Sequence, residues 1–263
     1  MNEKDIKKEA PISLKGMHDI AEEAYYAYQG LFEKAQEIAV YYGFKPLDTP
    51  ILEREEVFTT AHGEGTDIID KEMYTFRTKG NERIAVRPEF TASVMRAYLE
   101  HGMQNLPQPV LLYSYGPVYR HENPQRGRLR QFRQFNLEIL GTQKSIADAL
   151  IIRTLTTILE EFGFKDLIVD INSMGDKETR PAFIKELTNY YKKHLDHLCK
   201  DCHERIKTNP LRLLDCKQEQ CQPFKENAPS SLAYLSNDAR SHFKEVLQYL
   251  EEMAIPYRIN NSL

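Results

Sequence analysis

No stretch of the 263-residue sequence stays apolar for anything near the roughly 18 residues that a membrane-crossing helix requires. The opening segment, Met1 to Ala10, is polar and charged, without the hydrophobic centre of a secretion signal. These absences point to a cytoplasmic chain with no membrane partner. Internal repeats and low-complexity segments are also missing, which excludes solenoids and compositionally biased tails. Cysteine is scarce, and Cys199, Cys202, Cys216 and Cys221 fall in one stretch. That placement excludes a disulfide framework spread through the fold and leaves reduced thiols or a local metal site. Excess positive charge is lacking as well: the formal net charge is -4, so contact with nucleic acid must come from a local basic patch. No nucleophilic triad is recognisable.

What remains is 41% hydrophobic and 28% charged, enough to bury a real core. Between Glu22 and Tyr42, Ala24, Tyr28, Leu31, Ala35, Ile38 and Tyr42 recur at helical spacing, and Gly43 follows as a stop. Phe44 to Glu53 contains Pro46 and Pro50 and reads as extended chain at a sheet edge or an interface. The runs Met73 to Arg77 and Ile84 to Arg87 flank Lys79-Gly80-Asn81 as a hairpin. Pro88 is placed to open a helix with Phe90, Val94, Ala97 and Tyr98 on its apolar face and Gly102 as cap. Strands at Val110 to Tyr115 and Phe132 to Leu140 enclose an arginine-rich loop and predict a long hairpin, followed by a helix from Ser145 to Phe162 and a strand at Leu167 to Ile171. The expected fold class is α+β, an antiparallel sheet flanked by helices. Residues 178–253 are Lys-, Glu- and His-rich with helical periodicity and predict a helical insertion between a core at 1–177 and a return strand at 254–263.

Candidate chemistry gathers in the long hairpin. Arg120, Arg126, Arg128, Arg130 and Arg133 face a single acid, Glu122, giving a local charge of +4 within a chain of -4. Arginine suits phosphate because its planar fork stays charged and can hold two oxygens at once; a solvated loop tip would carry the same composition. In the second strand, alternation sets Gln134, Asn136 and Glu138 on one face and Phe135, Leu137 and Ile139 on the other. The polar row could bind a small polar ligand or face water. Glu89 and Thr91, at the start of the preceding helix, fit a binding role or a capping role equally.

Several segments together resemble the bacterial-type histidyl-tRNA synthetases. Gly116 to Phe132, with Arg120-x-Glu122, resembles motif 2 of class II synthetases in its histidyl form; Arg87-Pro88-Glu89-x-Thr91 resembles the amino-acid-binding segment; and Gly43 to Pro50 resembles motif 1. Lys15 to Asp19 is similar to the family's opening, Gly63 to Asp67 with Lys71 to Phe76 to the loop and strand after motif 1, and Asn209 to Asp215 with Asn227 to Pro229 to the helical insertion. The resemblance implies activation of histidine with ATP, carried by Mg2+, and transfer to tRNA(His), with positioning and charge stabilisation in place of a protein nucleophile. Residue by residue, it implies that Arg120 binds the α-phosphate and is catalytic. Glu122 reads the adenine edge, and Arg128 approaches the outer phosphates. Glu89 and Thr91 hold the α-amino group, and Gln134 and Glu138 surround the histidine. Motif 1 implies a homodimer.

The sequence departs from the family's pattern in lacking the second histidine-specific segment, motif 3 and the anticodon-binding domain, so it reads as a truncated catalytic fragment without adenylation activity of its own. The rival reading is the synthetase-like regulatory subunit of ATP phosphoribosyltransferase, a binding module. The four cysteines fit a zinc site by spacing, with His194, His197 and His203 as substitute ligands, but the reading adopted is four reduced thiols, with no metal ligand among the site residues.

Overall fold

The computed structural model describes residues 11–62 and 71–261, with the side chain of residue 62 left aside. The segment Gly63 to Asp67, singled out above, lies outside the described residues. The chain divides into two compact units, Met1–Glu138 and Ile139–Leu263.

The first unit opens with helix α1 (Glu22–Tyr41), which carries Glu22 and Glu23 in its first turn, where the helix dipole favours acid. Gly43, at φ +90°, ends it. The apolar stripe expected along this helix is only half used: Ala35, Ile38 and Ala39 are buried, whereas Tyr28 and Leu31 remain 44% and 45% exposed. Strand β1 (Lys45–Pro46), strand β2 (Leu52–Arg54) and helix α2 (Glu55–His62) follow. β3 (Tyr74–Arg77) and β4 (Arg83–Val86) form the expected hairpin, and β2 pairs antiparallel with β4. Asn81 turns that hairpin at φ +66°.

Helix α3 (Thr91–Glu100) starts later than Pro88, the expected opening. The Glu89 carboxylate accepts from the N–H groups of Thr91 and Ala92, so Pro88 to Phe90 act as the cap rather than as the first turn. β5 (Val110–Tyr119) and β6 (Gln131–Leu140) lie side by side, and β1 joins β5 in parallel. The fold class stands, but the strands form three small sheets, and the β1–β5 pairing departs from the all-antiparallel expectation. Phe44, Phe58, Phe90, Val94 and Val118 are fully or almost fully buried in this unit.

The second unit contains α4 (Ser145–Glu161), β7 (Val169–Ile171), α5 (Arg180–Lys192), α6 (Lys200–Thr208), α7 (Gln222–Glu226), α8 (Asn237–Glu252) and β8 (Tyr257–Ile259). α4 and α8 are joined by Ser145 Oγ donating to Glu245 at 2.6 Å and by His242 with Asp148 at 2.7 Å. β7 and β8 pair in parallel, and Asp170 grips Arg258 with both oxygens, at 2.7 and 2.8 Å. Residues 178–253, as described, are helices, short 3-10 turns and loops. Phe183, Leu187, Tyr191, Leu198, Ile206 and Leu213 pack there with Cys202, Cys216 and Cys221. Among the described residues no helix is long and apolar enough to cross a membrane.

Candidate functional site

The floor of the hairpin region is set by a buried cation. Arg87 is 2% exposed. Its Nε donates to the Pro117 carbonyl at 3.0 Å and its Nη1 to the Thr49 carbonyl at 2.6 Å, while its guanidinium carbon lies 4.2 Å from the centre of the Phe90 ring. Burial pulls this arginine below its ordinary value, against the fields of Asp48, Tyr119 and Glu53. Three separated segments are thereby locked together: the end of the motif 1-like stretch, strand β5 and the entry to α3. Arg87 is scaffold, and its neighbours inherit fixed positions.

Next to it, the Glu89 carboxylate is buried and committed to the backbone N–H groups that open α3. Thr91, the first residue of that helix, turns its hydroxyl outward and donates to Glu138 Oε1 at 2.6 Å. Asn136 Nδ2 donates to the same oxygen at 3.1 Å. The alternation read from the sequence is realised in β6. Phe135 stacks on Tyr113 with centroids 5.6 Å apart and lies against Phe32, while the opposite face carries the Asn136–Glu138–Thr91 chain. On that polar face Gln134 Oε1 is buried and has no hydrogen-bond partner among the described residues. A desolvated amide oxygen without a donor is costly, of order 1–3 kcal/mol, unless a ligand supplies one.

The arginine loop begins at Arg120, half-buried beside this row. Its Nε donates to the Pro88 carbonyl at 3.0 Å, and its guanidinium carbon lies 5.3 Å from the Phe132 ring centre. The Nη groups have no protein partner among the described residues, which leaves the outer fork available to an anion. Further out, Gln125 and Arg128 close a tight turn through Gly127 at φ +80°. Arg128 Nη1 reaches back to Glu122 Oε2 at 3.2 Å, an ion pair in which the arginine side chain is 56% exposed and the glutamate 15%. Arg130 Nε holds the Glu122 carbonyl at 3.0 Å, and its backbone N–H donates to the Gly16 carbonyl at 2.7 Å.

A cavity of about 530 Å³ opens here, lined by Glu122, Arg128, Gln131 and Phe132 together with His18 and Tyr28. His18 and Tyr28 were not among the candidate residues. Their signal lay in the Lys15 to Asp19 segment and in the helix stripe, which composition alone ties to no chemistry.

Of the expected site residues, Arg120, Glu89, Thr91 and Glu138 are linked by a chain of hydrogen bonds through Pro88 and the α3 entry. Gln134 shares the strand face of Glu138 without touching it. Glu122 and Arg128 form a pair of their own beside the cavity.

The second unit holds another chemically distinctive group. The sulfurs of Cys199, Cys202, Cys216 and Cys221 all lie within 4.8 Å of one another, a convergence that spacing along the chain had left open.

Residues 16–176 match the family model for histidyl-tRNA synthetase. The histidine–tRNA ligase of Desulforamulus reducens is 42% identical over 249 residues, covering 95% of this chain and 59% of that protein. Among solved structures, the apo histidyl-tRNA synthetase of S. aureus aligns with a TM-score of 0.73 at 30% identity, over 96% of this chain and 57% of that one. A Bacillus halodurans protein described as an ATP phosphoribosyltransferase regulatory subunit/histidyl-tRNA synthetase shares the fold at a TM-score of 0.66 and 18% identity, covering 99% of this chain and 69% of its own. The present chain thus spans 59% of the length of the curated relative.

Proposed function

The chain belongs to the histidyl-tRNA synthetase family, and on that premise we propose that its first unit forms part of a site where histidine is activated with ATP to histidyl-adenylate before transfer to tRNA(His). The observation that carries this reading is the bond between Thr91 and Glu138, residues 47 apart in sequence, with the unpartnered Gln134 oxygen on the same strand face. The bond joins the start of α3 to β6 through polar groups, on the strand face that also carries the desolvated acceptor. A histidine ammonium or imidazole N–H would supply the missing donor.

Arg120 is the residue assigned to the α-phosphate. Its Nε is held by Pro88, so the fork is oriented before the anion arrives, and little reorganisation accompanies charge development on the phosphorus oxygens. Glu122 and Arg128 border the 530 Å³ cavity, which we assign to the nucleotide, with Arg128 leaving its ion pair for the outer phosphates and Glu122 then free for the adenine edge. Glu89 is bound to backbone donors and Glu122 is assigned to the adenine edge, so Mg2+ is assigned to the phosphate oxygens of ATP itself. There it would neutralise charge on the pyrophosphate leaving group. Glu89 positions the α3 entry, and Thr91 contacts the amino acid. This changes the weight between the two without removing either from the pocket.

The exposed aromatic and aliphatic side chains of α1, among them Tyr25, Tyr26 and Tyr41, support a homodimer in which a second copy covers them. A concentration-dependent monomer–dimer equilibrium in sedimentation is expected. The cytoplasmic address belongs to the same proposal. For the 263-residue polypeptide alone, we assign salt-sensitive nucleotide binding and no histidine-dependent exchange, because the family's second histidine segment and motif 3 are not among its residues.

Amino-acid-dependent ATP–pyrophosphate exchange tests the reading in a protein of the relatives' length that carries these residues. Exchange that requires histidine supports it. Histidine binding without exchange would favour a synthetase-like regulatory subunit, and equal response to unrelated amino acids would overturn the pocket assignment.

A further inference from the structure

We propose that Cys199, Cys202, Cys216 and Cys221 bind one zinc ion as four thiolates, forming a structural metal centre inside the helical part of the second unit. The geometry is close to that of a loaded site. A tetrahedron with Zn–S bonds of about 2.3 Å has sulfur–sulfur edges of about 3.8 Å. Cys199 Sγ and Cys216 Sγ lie 3.8 Å apart, and all four sulfurs fall within 4.8 Å of one another. The remaining edges need shorten by no more than about 1 Å to reach that tetrahedron.

The local chain is built to present sulfur to one point. Cys199 caps α6, and Cys202, in the first turn, donates its N–H to the Cys199 carbonyl at 3.0 Å. Cys216 follows the 3-10 turn Pro210–Leu213, and Cys221 ends the turn Glu219–Cys221. Gln222 Nε2 donates to the Cys216 carbonyl at 2.8 Å and so ties the second pair of cysteines together. The Cys199 N–H donates to Cys221 Sγ at 3.3 Å, a backbone donor aimed at sulfur of the sort that steadies a coordinated thiolate.

A second observation comes from Tyr191. This residue is 1% exposed in the same core, and its hydroxyl has no hydrogen-bond partner among the described residues. Cys202, Cys216 and Cys221 belong to the same buried cluster. A neutral thiol is a weak acceptor, whereas a metal-bound thiolate is a strong one, so a filled site would offer this core an acceptor that reduced thiols do not. Four reduced thiols serving only as small apolar groups would leave that donor stranded in the core.

With four protein ligands the site has no open position, so it cross-links α6 to the turns around Cys216 and Cys221 rather than performing chemistry. Phe183, Leu187 and Leu213 pack around Cys202, Cys216 and Cys221, while Cys199 is half-buried at the edge of the same core.

The test uses the full chain purified without chelator. One equivalent of zinc by elemental analysis is expected, with an absorption-edge spectrum showing four sulfur neighbours at about 2.3 Å. Cobalt exchanged into the same chain should give tetrahedral visible bands and thiolate-to-metal charge transfer. Cys202→Ser and Cys216→Ser should each lower zinc affinity roughly tenfold or more in competition with a chelating dye. Should either variant fail to fold, the spectra of the unmodified chain decide alone. Sub-stoichiometric metal, iron in place of zinc, or nitrogen or oxygen in the first shell would overturn the proposal.

Discussion

The hairpin of the first unit and the cysteine core of the second handle polar groups in opposite ways. In the hairpin, charged and amide side chains are held from one side by the protein and left open on the other. Arg120 is fixed through Nε with its outer fork free, and Glu138 is gripped by Thr91 and Asn136. In the cysteine core little is left open: Cys202, Cys216 and Cys221 are each 3% exposed or less, and Cys199 is half-buried. The first arrangement suits a ligand that comes and goes; the second suits one that stays. The difference teaches that a site meant for turnover is built from orienting contacts, while a site meant for stability is built from enclosure.

The largest effect expected from this contrast is on removal of metal from the second unit. Structural zinc sites in small domains are associated with apparent binding free energies of about 10–16 kcal/mol, which is folding free energy where no preformed site survives without the ion. Chelation should therefore strip hydrogen-exchange protection from peptides covering Cys199 to Cys221 and leave strands β5 and β6 protected. Uniform loss across both units would break the comparison, because the hairpin's stability comes from Arg87 and the Phe90 core rather than from an added ion.

Next comes Arg120→Ala, read in a protein of the relatives' length. If the free fork meets the developing charge on phosphorus, adenylate formation should fall by about 100-fold or more, on the order of 3 kcal/mol, with the fold intact. Pyrophosphate exchange at the unmutated rate would take Arg120 out of the chemistry. Thr91→Val is a smaller perturbation of the same wall: losing a hydroxyl bonded to a carboxylate should cost about 1.5–3 kcal/mol, appearing chiefly as a raised KM for histidine. An unchanged KM with lower thermal stability would mean that the Thr91–Glu138 bond is scaffold, like Arg87.

How much of this was legible in the sequence follows from the range of the interactions involved. The alternation in Phe132 to Leu140 is local, so the two faces of β6 could be assigned directly. The start of α3 was placed too early because Pro88 is a good opening residue, whereas the cap is made by the Glu89 carboxylate folding onto Thr91 and Ala92. The parallel β1–β5 pairing joins Lys45 to Leu112, and no periodicity near either residue announces it. The helical spacing of the α1 stripe marks an apolar face, yet Tyr28 and Leu31 are exposed, since spacing reports that a face is apolar without saying what covers it. For the cysteines, spacing supplied the pairs, but their meeting depends on the 3-10 turn at Pro210–Leu213 and on the packing of Phe183 and Leu187.

The smallest effect expected concerns Asp176, which lies in the second unit but behaves like the hairpin groups, held by several weak donors at the surface rather than enclosed. Its carboxylate accepts from Ser236 Oγ at 2.5 Å, from the Thr179 N–H and hydroxyl, both at 2.8 Å, and from the Glu178 N–H at 3.0 Å, joining the approach to α5 with the N-cap of α8. The Ser236 hydroxyl, followed by the Thr179 donors, holds it at about 2, below the ordinary 3.8. A carboxylate depressed in the folded state contributes stability that is complete above its unfolded value and is lost as pH falls toward its folded one. Between pH 4 and pH 2, therefore, the contribution of Asp176 should drain away as the group protonates. Asp176→Asn should lower the unfolding midpoint at neutral pH, and the gap between variant and parent should narrow across that window. If the gap stays constant down to pH 2, the loss arises from packing around α5 and α8 rather than from charge, and the distinction between held and enclosed groups would have to be redrawn inside the second unit itself.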